Sequence, residues 1–202
     1  MKKLIFILVV LMLMAPMTAV MARNAGHWGY GSGRDRAGDN YLALKFGAYM
    51  PDDEADYLDN GYYLGGALGH NVNRNFALEF GLDYTYADFD DYFDDSYVTT
   101  LGIPVTAKIV LPLSEQLDVY AGAGLGLYFT NYEFDVDGYS YDDHDTSPGV
   151  HALMGADIRM SPNAALNVEV KYTDINEDFD EDYYDDLELG GTTASIGLKF
   201  MF

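Results

Sequence analysis

The chain has 202 residues, no cysteine and a formal net charge of −22, from 33 acidic and 11 basic residues, with a mean hydropathy of −0.10. Without cysteine there is neither a disulfide framework nor a thiolate metal site. The acidic segments would repel phosphates, which removes nucleic acid as a partner, and past the N-terminus no apolar run reaches the ~18 residues of a helical membrane span.

Residues 1–22 open with Lys2 and Lys3, run apolar from Leu4 to Met14, meet Pro16 and close on Val20-Met21-Ala22. That is a basic start, a short apolar core and a small-x-small cleavage pattern, so a secretory signal peptide is expected, with the mature chain starting at Arg23. Residues 23–40 (RNAGHWGYGSGRDRAGDN) are Gly-rich and basic, as expected of a flexible leader.

From residue 41 to 202 the apolar residues recur at every second position, the period of a strand with two unlike faces. The first strand, 41–50, sets Leu42, Leu44, Phe46 and Ala48 against Lys45. The second covers 61–70. In the third, 76–87, Phe80, Leu82, Tyr84 and Tyr86 alternate with Glu79 and Asp83. The fourth runs 97–111 and carries Pro104 in mid-strand, where a missing N–H predicts a bulge or bend. The fifth, 117–129, alternates Leu117, Val119, Ala121, Ala123, Leu125, Leu127 and Phe129 with Asp118 and a run of glycines. In the sixth, 149–160, Val150, Met154 and Ile158 oppose Asp157 and Arg159. The seventh follows Ser161-Pro162-Asn163 and alternates Leu166, Val168, Val170 and Tyr172 with Asn167, Glu169 and Lys171. The eighth, 189–202, ends Ile196, Leu198, Phe200, Phe202, with Lys199 on its other face.

Short connections (71–75, 112–116, 161–163) take turns with long acidic ones (51–60, 88–96, 130–148, 174–188). This asymmetry, with strands of about 10 residues, predicts an all-β, eight-stranded antiparallel up-and-down transmembrane β-barrel. Its short turns and both termini would be periplasmic and its long connections extracellular. Low average hydropathy is no objection, since a barrel strand shows lipid only every second residue. A soluble barrel of the same strand count would point its apolar residues inward. The signal peptide, the terminal Phe202 and the aromatics at strand ends favour the membrane. Leu44, Phe46, Phe80, Leu82, Val168, Val170, Leu198 and Phe200 are then expected to face lipid.

The segment GIPVTAKIVLPLSEQLDVYAGAGLGLYF, with Pro104, Pro112, Tyr120, Gly122, Gly124 and Gly126, resembles the central strand-turn-strand of the outer-membrane β-barrel domain family, the small opacity-like and porin-like eight-stranded proteins. SPNAALNVEVKYTDI and the terminal LKFMF are similar to that family's last hairpin. The resemblance implies residence in a bacterial outer membrane, with outer-membrane lipid and lipopolysaccharide as surroundings. It also implies delivery by the barrel-assembly machinery, for which Phe200 and Phe202 resemble the C-terminal signal.

The polar strand faces carry five bases (Lys45, Lys108, Arg159, Lys171, Lys199) and five acids (Glu79, Asp83, Asp118, Asp157, Glu169). Eight-stranded barrels are just wide enough for side chains to fill, so these ten are expected to pair as an internal charge network; a charged constriction selecting ions is the competing reading. Glycines 65, 66, 69, 122, 124 and 126 would leave lumen space and favour a cavity.

The long connections hold 25 of the acids and no base. They suit diffuse calcium binding, and Asp135-Val136-Asp137-Gly138 resembles the start of an EF-hand loop, making Asp135, Asp137 and Asp142 weak candidate ligands. Otherwise no cofactor is expected. Of the four histidines, His27 falls in the leader and His70 at a strand end, while His144 and His151 lie near Ser147 without an H-x-S pair. Catalysis is not expected. Two functions stay open: a structural or surface-interaction platform that offers its acidic loops to an extracellular ligand, or a narrow channel for small or apolar solutes.

Overall fold

The computed structural model describes residues 38–52, 58–89, 96–136, 139–175 and 190–202, and side chains within them except those of 134–143. The signal segment 1–22, nearly all of the leader, and Asp137 lie outside the described residues, as do the side chains of Asp135 and Asp142.

Eight strands are present: β1 (Asn40–Pro51), β2 (Gly61–Asn73), β3 (Phe76–Asp88), β4 (Tyr97–Pro112), β5 (Leu117–Val136), β6 (Tyr139–Ser161), β7 (Ala164–Ile175) and β8 (Gly191–Met201). Each pairs antiparallel with its neighbours in sequence, and β1 closes on β8 from Tyr41↔Met201 to Pro51↔Gly191. Closure leaves no open sheet edge within the wall, the condition for a sheet in hydrocarbon. Pairing begins slightly before the expected barrel start: the Gly38 amide donates to the Asn71 carbonyl at 2.7 Å, and the Asn71 amide to the Asp39 carbonyl at 2.9 Å.

The short turns are fixed by polar side chains that supply the bonds a reversing backbone lacks. Ser114 Oγ accepts from the Gln116 and Leu117 amides at 3.2 and 3.1 Å. Asn73 Oδ1 accepts from the Asn75 amide at 2.8 Å, and Asn163 Nδ2 donates to the Met201 carbonyl at 3.3 Å. The register shifts lie here too, at Asn71/Asn73 and Arg159/Ser161.

Of the bulge or bend expected at Pro104, the register excludes the bulge. Pairing of β3 with β4 lapses between Phe80↔Val105 and Asp83↔Gly102 and resumes in the same register, while β4–β5 pairing runs through Pro104↔Gly126. The ring is accommodated across the gap by Gly81, where a Cβ would come within 2.9 Å of Pro104 Cγ. A missing donor is thus absorbed by a missing side chain.

The connection expected at 130–148 is in fact a continuation of two strands. β5 and β6 stay in register out to Val136↔Tyr139, with Asp137-Gly138 between them.

Facing follows period two throughout. Leu125 and Met154 are 68% and 67% exposed, whereas Lys108 and Glu169 are 2% exposed. The apolar side chains are therefore outside and the charges inside, the inverse of a soluble barrel.

Candidate functional site

All ten charged side chains of the polar faces point into the barrel, and each has an opposite partner. Lys45 Nζ lies 2.6 Å from Glu169 Oε1; Lys108 Nζ lies 2.6 Å from Glu79 and 3.1 Å from Glu169 Oε2. Lys199 meets Asp157 at 2.7 Å, Arg159 meets Asp118 at 3.6 Å, and Lys171 meets Asp83 at 2.5 Å. Buried charges survive only when paired and further hydrogen-bonded. The additional bonds come from residues that the charge pattern did not single out. Tyr120 donates to Glu169 at 3.0 Å, Asn167 Nδ2 lies 2.7 Å from both Tyr120 Oη and Asp157, and Tyr63 donates to Asp83 at 2.6 Å.

Three of the lysines also lie over aromatic rings: Lys199 is 3.7 Å from the Tyr41 ring centre, Lys108 is 4.4 Å from that of Tyr120, and Lys171 is 4.8 Å from that of Tyr63. These cation–π contacts help replace lost water. Alternation alone puts Tyr41, Tyr63 and Tyr120 on the same faces as Lys45, Gly65 and Asp118. That parity was the signal available for them.

The strand glycines do not leave the lumen empty, which corrects the expectation drawn from them. A Cβ at Gly69 would strike the Tyr41 ring, one at Gly65 the Tyr63 hydroxyl, and one at Gly155 the Tyr120 hydroxyl. At Gly102 it would come within 2.7 Å of Tyr128, at Gly126 within 3.1 Å of the same ring, and at Gly124 within 2.8 Å of His151. Gly122 faces Lys108 and Leu153, and Gly66 lies beside Leu44 on the outer face. The inward glycines are seats for rings and long side chains laid flat against the wall.

Among the described residues, two small spaces adjoin the Asp83–Lys171 pair. One, about 10 Å³, is bordered also by Thr106, His151, Glu79 and Glu169; the other, about 30 Å³, lies on the long-connection side. His151 bonds Thr106 at 2.8 Å, Ser147 bonds Asp145, and His70 lies exposed against Asn40 at 2.9 Å. These histidines are thus held as packing and rim groups. Among the described residues no cluster of three or more His, Asp or Glu is arranged to hold a metal.

Toward the long connections the inner face turns apolar: Leu58, Ala87, Phe89, Val98, Tyr128, Tyr132 and Ile175 form one buried cluster, and Leu58 bridges to Phe89. Outside, at the same end, Tyr62 stacks on Tyr86 at 4.9 Å and Tyr86 on Tyr97 at 5.4 Å. Tyr86 donates to Asp88 at 2.5 Å and Tyr97 to Glu133. Rings with their polar tips toward carboxylates, above Leu64, Leu82 and Leu101, mark the level where hydrocarbon gives way to headgroups.

The family described as "Outer membrane protein beta-barrel domain" matches residues 6–202. The chain belongs to this family. It is an outer-membrane β-barrel protein of a bacterial envelope, and its lipid-facing belt is the wall described above. No curated protein matches it in sequence. Among solved structures it is similar to Neisserial surface protein A, with 20% identity, 82% of this chain and 98% of the other covered, and a TM-score of 0.59. It is also similar to OprG of Pseudomonas aeruginosa (18% identity, 82% and 97% covered, TM-score 0.56). A third is Ail, the attachment invasion locus protein of Yersinia pestis (17% identity, 82% and 99% covered, TM-score 0.53). At these identities the likeness is one of fold. Phe200 pairs with Leu42 and Ala164 at the closing seam, and Phe202 is half-buried.

Proposed function

We propose that this outer-membrane barrel is a closed structural platform that carries acidic, tyrosine-rich connections on the cell surface. The observation behind this reading is the lumen: five bases against five acids, all paired and all but Arg159 buried, with spaces of about 30 and 10 Å³ beside them among the described residues. Water needs roughly 10–15 Å³ per molecule on this measure, so the two spaces hold a few molecules and not a column.

Within this reading, residues 1–22 are a cleaved signal and 23–40 a periplasmic leader. Both termini are periplasmic, and Phe200 and Phe202 present the assembly signal. Lipopolysaccharide surrounds the outer rim, and the carboxylates of the long connections hold calcium diffusely. No catalytic role is assigned. Ail has been crystallised with the heparin analogue sucrose octasulfate. An extracellular ligand is proposed for this chain too, but not a sulfated one, because its 25 exposed-side carboxylates would repel it.

The alternative, a narrow channel with a lateral exit, draws on the lapse in β3–β4 pairing beside Pro104. Planar-bilayer conductance separates the two. The platform predicts a silent unmodified protein and intermittent openings in Lys108→Ala, which strands Glu79 and recruits water. Steady, large, ion-selective openings of the unmodified protein would overturn it.

A further inference from the structure

His151 of β6 is 3% exposed and, among the described residues, is the histidine that faces the lumen. Its ring crosses Gly124 of β5, where a Cβ would come within 2.8 Å of it, and Nε2 lies 2.8 Å from the Thr106 hydroxyl of β4. Lys171 and Glu169 face it from β7, Asp83 and Glu79 from β3, Lys108 from β4 and Lys45 from β1; β5 presents its glycine. The ring borders the space of about 10 Å³, and the Asp83–Lys171 pair stands between that space and the one of about 30 Å³ toward the long connections.

Imidazole ordinarily changes charge between about pH 5 and 8, whereas carboxylates do so near about 4 and phenols and ammonium groups near about 10. A proton on His151 therefore turns five charges against five into six against five, in a wall where each of the five carboxylates already has a basic partner. The imidazolium repels the ammonium groups of Lys108 and Lys171. Lys108 is held by two carboxylates, Glu79 and Glu169, and Lys171 by one, Asp83, so the repulsion is relieved most readily at Lys171. Asp83 keeps the Tyr63 hydroxyl, 2.6 Å away, and is left to balance the new cation.

We infer that His151 is a proton sensor for the outer half of the lumen: once its imidazole is protonated, the Lys171–Asp83 pair separates and the two small spaces join and fill with water. The mesh around Glu169 stays shut, so acid hydrates the barrel without making it conduct. The inference rests on the platform reading, since a closed lumen is what gives the pair something to close. It gives that platform a second state, set by pH.

The test is NMR of the mature chain in lipid nanodiscs between about pH 7.5 and about pH 5. The exchange of the Lys171 ammonium protons with water is compared with that of Lys108 in the same sample, which cancels the intrinsic effect of pH on exchange. In the unmodified protein the ratio of the two rates should rise about tenfold in acid, with the midpoint at which the His151 ring Cε1–H signal moves. His151→Gln keeps a polar group toward Thr106 and never becomes charged, so its ratio should stay flat. An equal rise in His151→Gln, a flat ratio in the unmodified protein, or a Lys171 midpoint apart from that of the ring would each overturn the sensor; the last two are read without any variant. Planar-bilayer conductance is recorded in parallel. Steady, large openings at about pH 7.5 would overturn the platform reading, whereas a silent bilayer with a flat ratio would remove the sensor alone.

Discussion

The two ends of the lumen are built differently. Toward the short turns, Glu169 takes Lys45, Lys108 and Tyr120, Lys108 reaches on to Glu79, and Asn167 carries the chain of bonds from Tyr120 to Asp157 and Lys199. Toward the long connections stands one ion pair, Lys171–Asp83, supported by Tyr63. The meshed end shares each charge among several partners, so it resists opening; the lone pair is the thinnest layer between the two small spaces. Stability and closure are thus assigned to different parts of one lumen.

Glu169→Ala breaks the mesh at its centre and leaves Lys45 without its carboxylate and Lys108 with one of two. A loss of about 3–5 kcal/mol is expected, read from urea unfolding in lipid vesicles. A loss under about 1 kcal/mol would mean that the mesh is looser than its distances. Val168→Arg changes the neighbouring residue on the opposite face and leaves every lumen contact in place. Its expected cost is about 2–4 kcal/mol near the midplane, and near-neutral folding would place Val168 outside the hydrocarbon.

Lys171→Ala tests the lone pair. Because Tyr63 still donates to Asp83, the expected loss is nearer 2 kcal/mol, but amide exchange around Thr106 and His151 should speed up more than in Glu169→Ala. Equal protection in both variants would erase the distinction between the two ends. The smallest effect concerns the acidic connections: millimolar calcium should slow their proteolysis, with magnesium matching it. Protection by calcium alone would point to a dedicated site and away from diffuse binding.

The fold was legible because a membrane barrel repeats one rule, alternation, for its whole length. Lys45, Glu79, Asp83 and the other charges could be placed on the inner face from period two alone. Their partners could not, because Lys45 on β1 reaches past β8 to Glu169 on β7, and which inward residues share a level depends on tilt and stagger. The lumen tyrosines were hidden by a competing meaning, since aromatics near strand ends also make girdles. Tyr62, Tyr86 and Tyr97 do so, whereas Tyr41 and Tyr63 turn inward onto glycines. The β5–β6 extension was hidden by composition: Asp-rich sequence reads as loop, and strand pairing overrode it.

Closure of β1 on β8 has a consequence in time. The seam joins the earliest strand of the barrel to the latest, so until the final residues have been made, β1 has no lasting partner on one side. Without β8, β1 and β7 would each present a row of unpaired backbone groups that lipid cannot satisfy. Pairings of such long range are also slow to form. Docking of β8 on β1 is therefore the step that turns an open sheet into a wall that hydrocarbon can surround.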